Sequence, residues 1–441
     1  MGIFKKVIFI VLFYIVLSNA VSISQWSKIN TSGSVPHLKN AAAIYDPLGN
    51  RMIVFGGRNA AGEPVDVIWS LNLLNNSWVQ IVPSGGPNPP ARFTHNAHYH
   101  QNENAMIIWS GQGVSSALYN DVWKFNFASN SWSLVWPDGN AMGVPVKRYG
   151  TASVFEPVSG KITTFGGFTA NGRFDDTWSF DVNSLIWQDR TNSVHPPKRC
   201  LHSAVYASDL GRFIIYGGQD AGPLDDIWQC TLSSYQWANI TPQIKPPARF
   251  WNTMIYYAGG NIIIFGGLGT SARNDMWKYR MSAGVWEYIN PGATVPAARW
   301  GHTGIYIPTE DRMIIFGGEG DSLYKDTWQY SNVSAIGIEP ISNIIPQVYE
   351  LEQNYPNPFN PATKIRFKIP NDKSAVEGQM SNTKLEVFDV KGKLIIVSIN
   401  EILQAGEYEV GFDGSGLPSG VYFYRLSSGS YVQTQKMILL K

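Results

Sequence analysis

The feature that most limits the fold is a unit of about fifty residues that occurs six times. Its clearest copy is Arg312-Met313-Ile314-Ile315-Phe316-Gly317-Gly318, followed by Asp326-Thr327-Trp328. The glycine pair recurs as Gly56-Gly57, Ser110-Gly111, Gly166-Gly167, Gly217-Gly218, Gly266-Gly267 and Gly317-Gly318. Each pair ends a run of strand-forming residues. Each is followed by Asp-x-Trp at Asp121/Trp123, Asp176/Trp178, Asp226/Trp228, Asp275/Trp277 and Asp326/Trp328, with one extra residue in Asp66/Trp69. The spacing from one Trp to the next is 54, 55, 50, 49 and 51 residues. A period near fifty with two markers in register is the signature of a propeller, in which each repeat is one small sheet that needs its neighbours to bury its faces.

Each repeat reads as four strands. The first follows a proline-rich lead-in, the second ends at the glycine pair, the third carries Trp, and the fourth carries a second Trp. Those second tryptophans are Trp78, Trp132, Trp187, Trp237 and Trp286. The sixth repeat stops after Tyr330 and lacks its fourth strand. Gln25-Trp26-Ser27-Lys28-Ile29 has the same pattern as Ser77-Trp78-Val79-Gln80-Ile81, so residues 24–30 are expected to close the last blade and protect a sheet edge. Twelve of the sixteen tryptophans then fall in two equivalent slots, which makes them packing residues first. At the glycine pairs, Ser110 replaces the first Gly, whereas the second is Gly in every copy. That second position is expected to hold the backbone angles closed to other residues.

These residues resemble the kelch repeat. The resemblance implies a six-bladed β-propeller over residues 21–331, with ligands taken at a loop face or at the channel mouth.

Composition narrows the setting. A hydrophobic share of 44% with 13% aromatics suits a β-rich globular chain rather than a disordered one. A net charge of +1 with no basic run disfavours nucleic acid as a partner. Lys5 and Lys6, the apolar run Val7 to Leu17 and the small residues before Ala20 read as an export signal over residues 1–20, with cleavage between Ala20 and Val21. That run is too short for a stable membrane anchor, and no later stretch is long enough to cross as a transmembrane segment. Cys200 and Cys230 occupy apolar slots about two strands apart, which reads as two buried thiols and no disulfide.

Strand direction puts three features at one end of the propeller: an Arg slot, the glycine pairs and the Asp slot. The Arg slot holds Arg92, Arg148, Arg199, Arg249 and Arg299, with Leu38 in the first repeat. Each Arg is expected to reach across the glycines to its Asp or to loop carbonyls. Two readings stand: braces for the loops, or a guanidinium rim that binds an anion or peptide. The loops after the glycine pairs open on Arg58, Gln112, Phe168, Gln219, Leu268 and Glu319, and this variation on a fixed scaffold marks a binding face. The candidate ligand-binding residues are therefore the five arginines together with Arg58, Gln112, Gln219 and Glu319.

His95, His202 and His302 share one slot in alternate repeats, which suggests a three-histidine metal site. Sheets that radiate from an axis instead point such side chains at the next blade, and this is the expectation adopted. No nucleophile motif, phosphate loop or zinc pattern is present. Kelch-like oxidases rely on a cysteine fused to a ligand tyrosine, while both cysteines here sit in packing slots. No catalytic residue, metal ligand or cofactor is assigned.

Beyond a linker at residues 332–346, residues 347–441 alternate in six or seven short strands, which suggests an immunoglobulin-like β-sandwich. Asn354 to Pro361, Leu403 to Tyr408, Ser419 to Leu426 and Lys436 to Lys441 resemble the type A C-terminal sorting domain of the type IX secretion system of Gram-negative bacteria. That resemblance implies passage through the periplasm, interaction with the type IX machinery, and release or attachment to surface lipopolysaccharide after loss of the tail. The fold expected is all-β: a six-bladed kelch-like propeller, then a sandwich. The function expected is a secreted or cell-surface binding or adhesion module that recognises a protein or glycan. The alternative is a carbohydrate-active or redox enzyme with its site at the channel mouth.

Overall fold

The computed structural model describes residues 25–257, 260–289, 294–331, 333, 340–342, 345–370, 382–403, 405–414 and 417–441. The expected export signal, with Ala20 and Val21, lies outside these residues, as does most of the expected linker. The described residues are all-β, apart from short 3-10 turns.

Six antiparallel sheets follow the six repeats. Blade two is typical: Asn96–His100, Ala105–Trp109, Val122–Asn126 and Ser131–Trp136, paired in that order. Blade one gains a fifth strand, Ser32–Gly33, which runs parallel to Ser77–Ile81 on its outer edge. Second strands are covered on both faces by neighbouring blades, so they read as unbroken apolar runs. Met52 to Phe55 and Ile262 to Phe265 are wholly buried. Blade six is completed from the other end of the chain. Gln25–Ile29 pairs antiparallel with Thr327–Ser331, with Trp26 opposite Tyr330. This is the closure that the missing fourth strand implied.

The blades are joined by a circle of aromatic pairs. Every outer-strand Trp packs on the aromatic residue that precedes the glycine pair of the blade before it. The pairs are Trp78–Phe316, Trp132–Phe55, Trp187–Trp109, Trp237–Phe165, Trp286–Tyr216 and Trp26–Phe265, with ring centroids 4.6–5.2 Å apart. Tilted and edge-on pairs of this kind add to plain area burial. Both members of the Trp26 pair are buried, so the closing strand carries the same contact as the five built within the repeats.

The C-terminal segment forms two four-stranded sheets. One runs Pro340–Ser342, Gly406–Asp413, Ala362–Ile369, Glu350–Leu351; the other runs Leu394–Ile402, Asn382–Asp389, Gly420–Ser428, Tyr431–Leu439. They share one core, in which Ile365, Phe367 and Tyr408 meet Leu385, Tyr424 and Leu439. Ile244, from the loop after the fourth blade, packs into the same cluster. Residues 340–342, expected as linker, instead pair with Gly406–Asp413. Asn354 fixes the entry to the domain. Its backbone N–H donates to the Tyr424 hydroxyl at 2.8 Å, and its Nδ2 donates to Thr363 Oγ1 at 3.0 Å.

If the aromatic circle holds the ends together, Trp26→Ala should cost about 3–5 kcal/mol, as expected for a buried aromatic. Val79→Ala, on an exposed outer-strand face, should stay within about 0.5 kcal/mol. Urea unfolding midpoints compare them directly; equal midpoints would contradict the closure.

Candidate functional site

The glycine pairs set the geometry of one face. The first position has φ from +64° to +67° at its five glycines, and Ser110 adopts the same left-handed region at +63°. The second has φ from +86° to +112°, where a side chain is strained, and it is Gly in every blade. The expectation for that position holds. Its N–H donates across the blade boundary to the carbonyl of the next blade's Arg slot, as in Gly57 to Arg92 and Gly218 to Arg249. Leu38 supplies the sixth of these carbonyls, to Gly318 at 3.0 Å, so the first repeat keeps the backbone contact without the arginine.

Each arginine spans its own blade. The Arg199 Nη1 donates to the Gly217 carbonyl at 2.9 Å and to Asp226 Oδ1 at 2.6 Å; its Nη2 donates to Asp226 Oδ2 at 2.7 Å. Its Nε donates to the Pro197 carbonyl at 3.0 Å. Arg92, Arg148, Arg249 and Arg299 repeat this set with Asp121, Asp176, Asp275 and Asp326. The same carboxylates accept the indole N–H of Trp123, Trp178, Trp228, Trp277 and Trp328 at 2.7–2.9 Å. Asp and Trp two residues apart lie on one face of a strand, so the Asp-x-Trp spacing carried this signal. In the first blade the extra residue breaks that spacing, and Asp66 is exposed.

Burial alone would raise the Asp226, Asp275 and Asp326 carboxyls, but hydrogen bonds and charge from their arginines hold them below the usual range. All five guanidinium groups are at most 2% exposed. They brace the loop roots rather than face solvent, which corrects the expectation of a cationic rim at Arg92, Arg148, Arg199, Arg249 and Arg299. Removing one partner of such a buried pair costs about 3–5 kcal/mol.

The remaining predicted residues lie at one equivalent position each. Arg58, Gln112, Gln219 and Glu319 are half-buried at the start of their loops. Each exchanges two backbone hydrogen bonds with the residue after the Arg slot: Lys39, Phe93, Cys200 and Trp300, at 2.8–3.1 Å. Phe168 with Tyr149 and Leu268 with Phe250 complete the set of six. The loop starts are therefore pinned, while their side chains differ. The Arg58 guanidinium lies 3.9 Å from the Phe93 ring centre. Lys39 pairs with Glu319 at 2.5 Å and lies over Trp300.

Sequence reading missed what encircles the axis here. Asn40, Thr94, Gly150, Leu201, Trp251 and Gly301 each donate a backbone N–H to the carbonyl of the preceding member, with Asn40 donating to Gly301. The six bonds measure 2.6–3.1 Å and form a closed ring. All six residues are left-handed, with φ from +48° to +65°. A Cβ on Gly150 would lie 2.5 Å from Leu201 Cδ2, and one on Gly301 would lie 2.6 Å from Asn40 Nδ2, so a larger residue there would have to displace those side-chain ends. Trp251 stacks on Trp300, with centroids 4.7 Å apart and planes at 19°.

Inside the ring runs an axial channel of about 440 Å³, walled by the first strands. His95, His202 and His302 lie between blades, edge-on to Phe55, Phe165 and Phe265 at 5.3–5.7 Å. Burial lowers all three, to about 3 for His202 and His302, and the neighbouring arginines push the same way. His98 Nε2 lies 2.7 Å from Ser153 Oγ, the spacing of a base and a nucleophile. Burial pushes His98 down to about 4, which makes it a weak base at neutral pH. Cys200 and Cys230 are buried free thiols, both raised by burial.

The histidine shifts make a pH prediction. The unfolded chain takes protons on His95, His202 and His302 below about pH 6.5, and the folded chain does not, so stability falls as pH drops through that range. Each contributes up to about 1.4 kcal/mol per pH unit. The Asp226, Asp275 and Asp326 carboxyls are held below the usual Asp range, so they do not account for a loss at pH 5–6.5. Thermal unfolding should therefore drop by several degrees from pH 7 to 5, and less in His202→Gln. A flat profile would contradict the burial of neutral imidazoles.

The comparisons agree with this geometry. Residues 13–222 match the Attractin/LZTR1 beta-propeller family. Residues 189–335 match the KLHDC2/KLHL20/DRC7 Kelch-repeats domain, and residues 353–440 match the Secretion system C-terminal sorting domain. Among curated relatives, Tip elongation aberrant protein 1 of Schizosaccharomyces pombe is 30% identical over 45% of this chain and 18% of its own. The Dynein alpha chain, flagellar outer arm, of Chlamydomonas reinhardtii is 27% identical over 44% of this chain and 4% of its own. Host cell factor homolog hcf-1 of Caenorhabditis elegans is 27% identical over 44% of this chain and 27% of its own. The chain thus spans less than a third of each of these relatives. Among the described residues, no helix is long and apolar enough to cross a membrane. The sorting domain marks the chain for type IX secretion to the cell surface or extracellular space. Blades, glycine pairs and tail together place it: the chain is a kelch-repeat β-propeller followed by a type IX C-terminal sorting domain.

Proposed function

We propose that the propeller is a secreted or surface-held binding module that recognises a protein partner through the face bearing the second-to-third strand loops. The observation that carries this reading is the contrast between root and tip. Five loops stand on the same Arg–Asp–Trp brace and all six on the same pair of backbone bonds, yet they present Arg58, Gln112, Phe168, Gln219, Leu268 and Glu319. A rigid base with variable side chains lowers the ordering cost of binding and leaves specificity to the tips. The Trp251–Trp300 stack and the Arg58–Phe93 contact supply the aromatic and guanidinium groups favoured at the centre of protein interfaces.

Export fits the same reading. Residues 1–20 direct passage into the periplasm, with cleavage between Ala20 and Val21. Residues 347–441, folded as an immunoglobulin-like sandwich, engage the type IX machinery. Loss of this tail leaves the propeller released or attached to surface lipopolysaccharide. Catalysis at the channel mouth has one geometric support, the Ser153–His98 pair, and its depressed histidine argues against it.

An array of extracellular proteins probed with the purified full chain tests the reading. The double variant Arg58→Ala/Glu319→Ala should bind its partner at least about tenfold more weakly at an unchanged melting temperature. Partner binding that ignores both substitutions, or turnover of a substrate with no stable complex, would overturn it.

A further inference from the structure

The opposite end of the propeller carries a different pattern. The fourth residue of each first strand is aromatic: Tyr45, Tyr99, Phe155, Tyr206, Tyr256 and Tyr306. First strands run away from the loop face, so these six lie toward the far end of the propeller, where Tyr99, Phe155 and Tyr206 line the channel as an aromatic collar. The tyrosines are half-buried, and Phe155 is buried. Several are held in place by their hydroxyls. Tyr99 donates to Asn104 Oδ1 at 3.0 Å, Tyr306 donates to Asp311 Oδ1 at 2.9 Å, and Tyr256 donates to the Asp209 carboxylate.

Behind the collar, the channel wall is polar without being charged. Among the described residues, its lining includes Asn96, His98, Ser153, Ser203 and Thr303, and no Asp, Glu, Lys or Arg. First strands are hydrogen-bonded on one edge alone, so their other edges offer backbone N–H and C=O groups to the axis. Donors and acceptors are thus mixed along the wall. A volume of about 440 Å³ is in the range of small-molecule sites.

These features restrict the ligand. A charged group would lose its water without gaining a counter-charge. A purely apolar one would leave the inward backbone edges of the first strands unpaired. The collar favours a ligand with an apolar face that lies on aromatic rings. We propose that the channel and its aromatic collar bind an uncharged hexopyranose, free or as the terminal unit of a glycan. Its C–H face lies on the collar, and its hydroxyls bond to the wall. This site is separate from the loop face and does not depend on the protein-binding reading.

Calorimetric titration of the full chain with glucose, galactose and mannose, alongside glucuronate and glucosamine, tests the proposal. At least one neutral hexose should saturate the protein, with the charged sugars at least about tenfold weaker. Tyr206→Ala should weaken that hexose about fivefold or more, and Tyr206→Phe should keep it within about twofold. Both variants are checked by thermal unfolding, and Ser203→Ala provides a second reading from the wall should Tyr206→Ala fail to fold. Arg58→Ala/Glu319→Ala should bind the hexose like the parent chain. No saturation by any neutral hexose up to roughly 50 mM would overturn the proposal. So would equal binding of glucuronate, or hexose binding lost in the loop variant and kept in the collar and wall variants.

Discussion

Circular closure is the constraint on which the rest of this molecule depends. A blade buries its faces only against other blades, so six blades are stable only if the sixth meets the first. Three concentric circles accomplish this. Aromatic pairs run around the outside, bonds from glycine N–H to Arg-slot carbonyls run between blades, and backbone bonds encircle the axis. All three pass through the N-terminal segment. Trp26 completes the first, Leu38 the second and Asn40 the third. The axial ring has a local cost, because Thr94, Leu201 and Trp251 are held left-handed, a conformation worth about 1–3 kcal/mol against each. It persists because every member is over-determined by a neighbour on each side.

The parts differ in how far the sequence revealed them, and the reason is physical. Side-chain chemistry that repeats leaves a period to read. The glycine pairs, both tryptophan slots and the closing strand were legible because each needs one residue type at one spacing. The axial ring was hidden because its bonds are made by the backbone, and its positions hold Asn, Thr, Gly, Leu, Trp and Gly. Likewise the Arg slot was plain, but not its burial: a chain reads the same whether a guanidinium faces water or a carboxylate. The aromatic residue before each glycine pair recurs in all six blades, and its pairing with the next blade's Trp needed the third dimension. In the tail, the long alternating strands were visible, whereas Pro340–Ser342 and Glu350–Leu351 were too short to show a period.

The division of labour follows from the closure. Residues that repeat hold the ring together, and residues that vary at pinned positions are those to which the proposed recognition is assigned. Arg58, Gln112, Gln219 and Glu319 belong to the second class, and the five braced arginines belong to the first. The same logic separates the two ends of the molecule. One end carries mixed charge and aromatic groups at the loop starts, and the other carries an aromatic residue at the fourth position of every first strand. The sorting domain packs as a unit of two sheets with its own core, to which Ile244 of the propeller adds.

Amide hydrogen exchange at the axial ring tests the closure most directly. If the ring is one cooperative structure, the amides of Asn40, Thr94, Gly150, Leu201, Trp251 and Gly301 should exchange together, at the slow rate set by global unfolding. Fast exchange of Asn40 while the other five stay protected would mean that the circle is open where the chain ends meet.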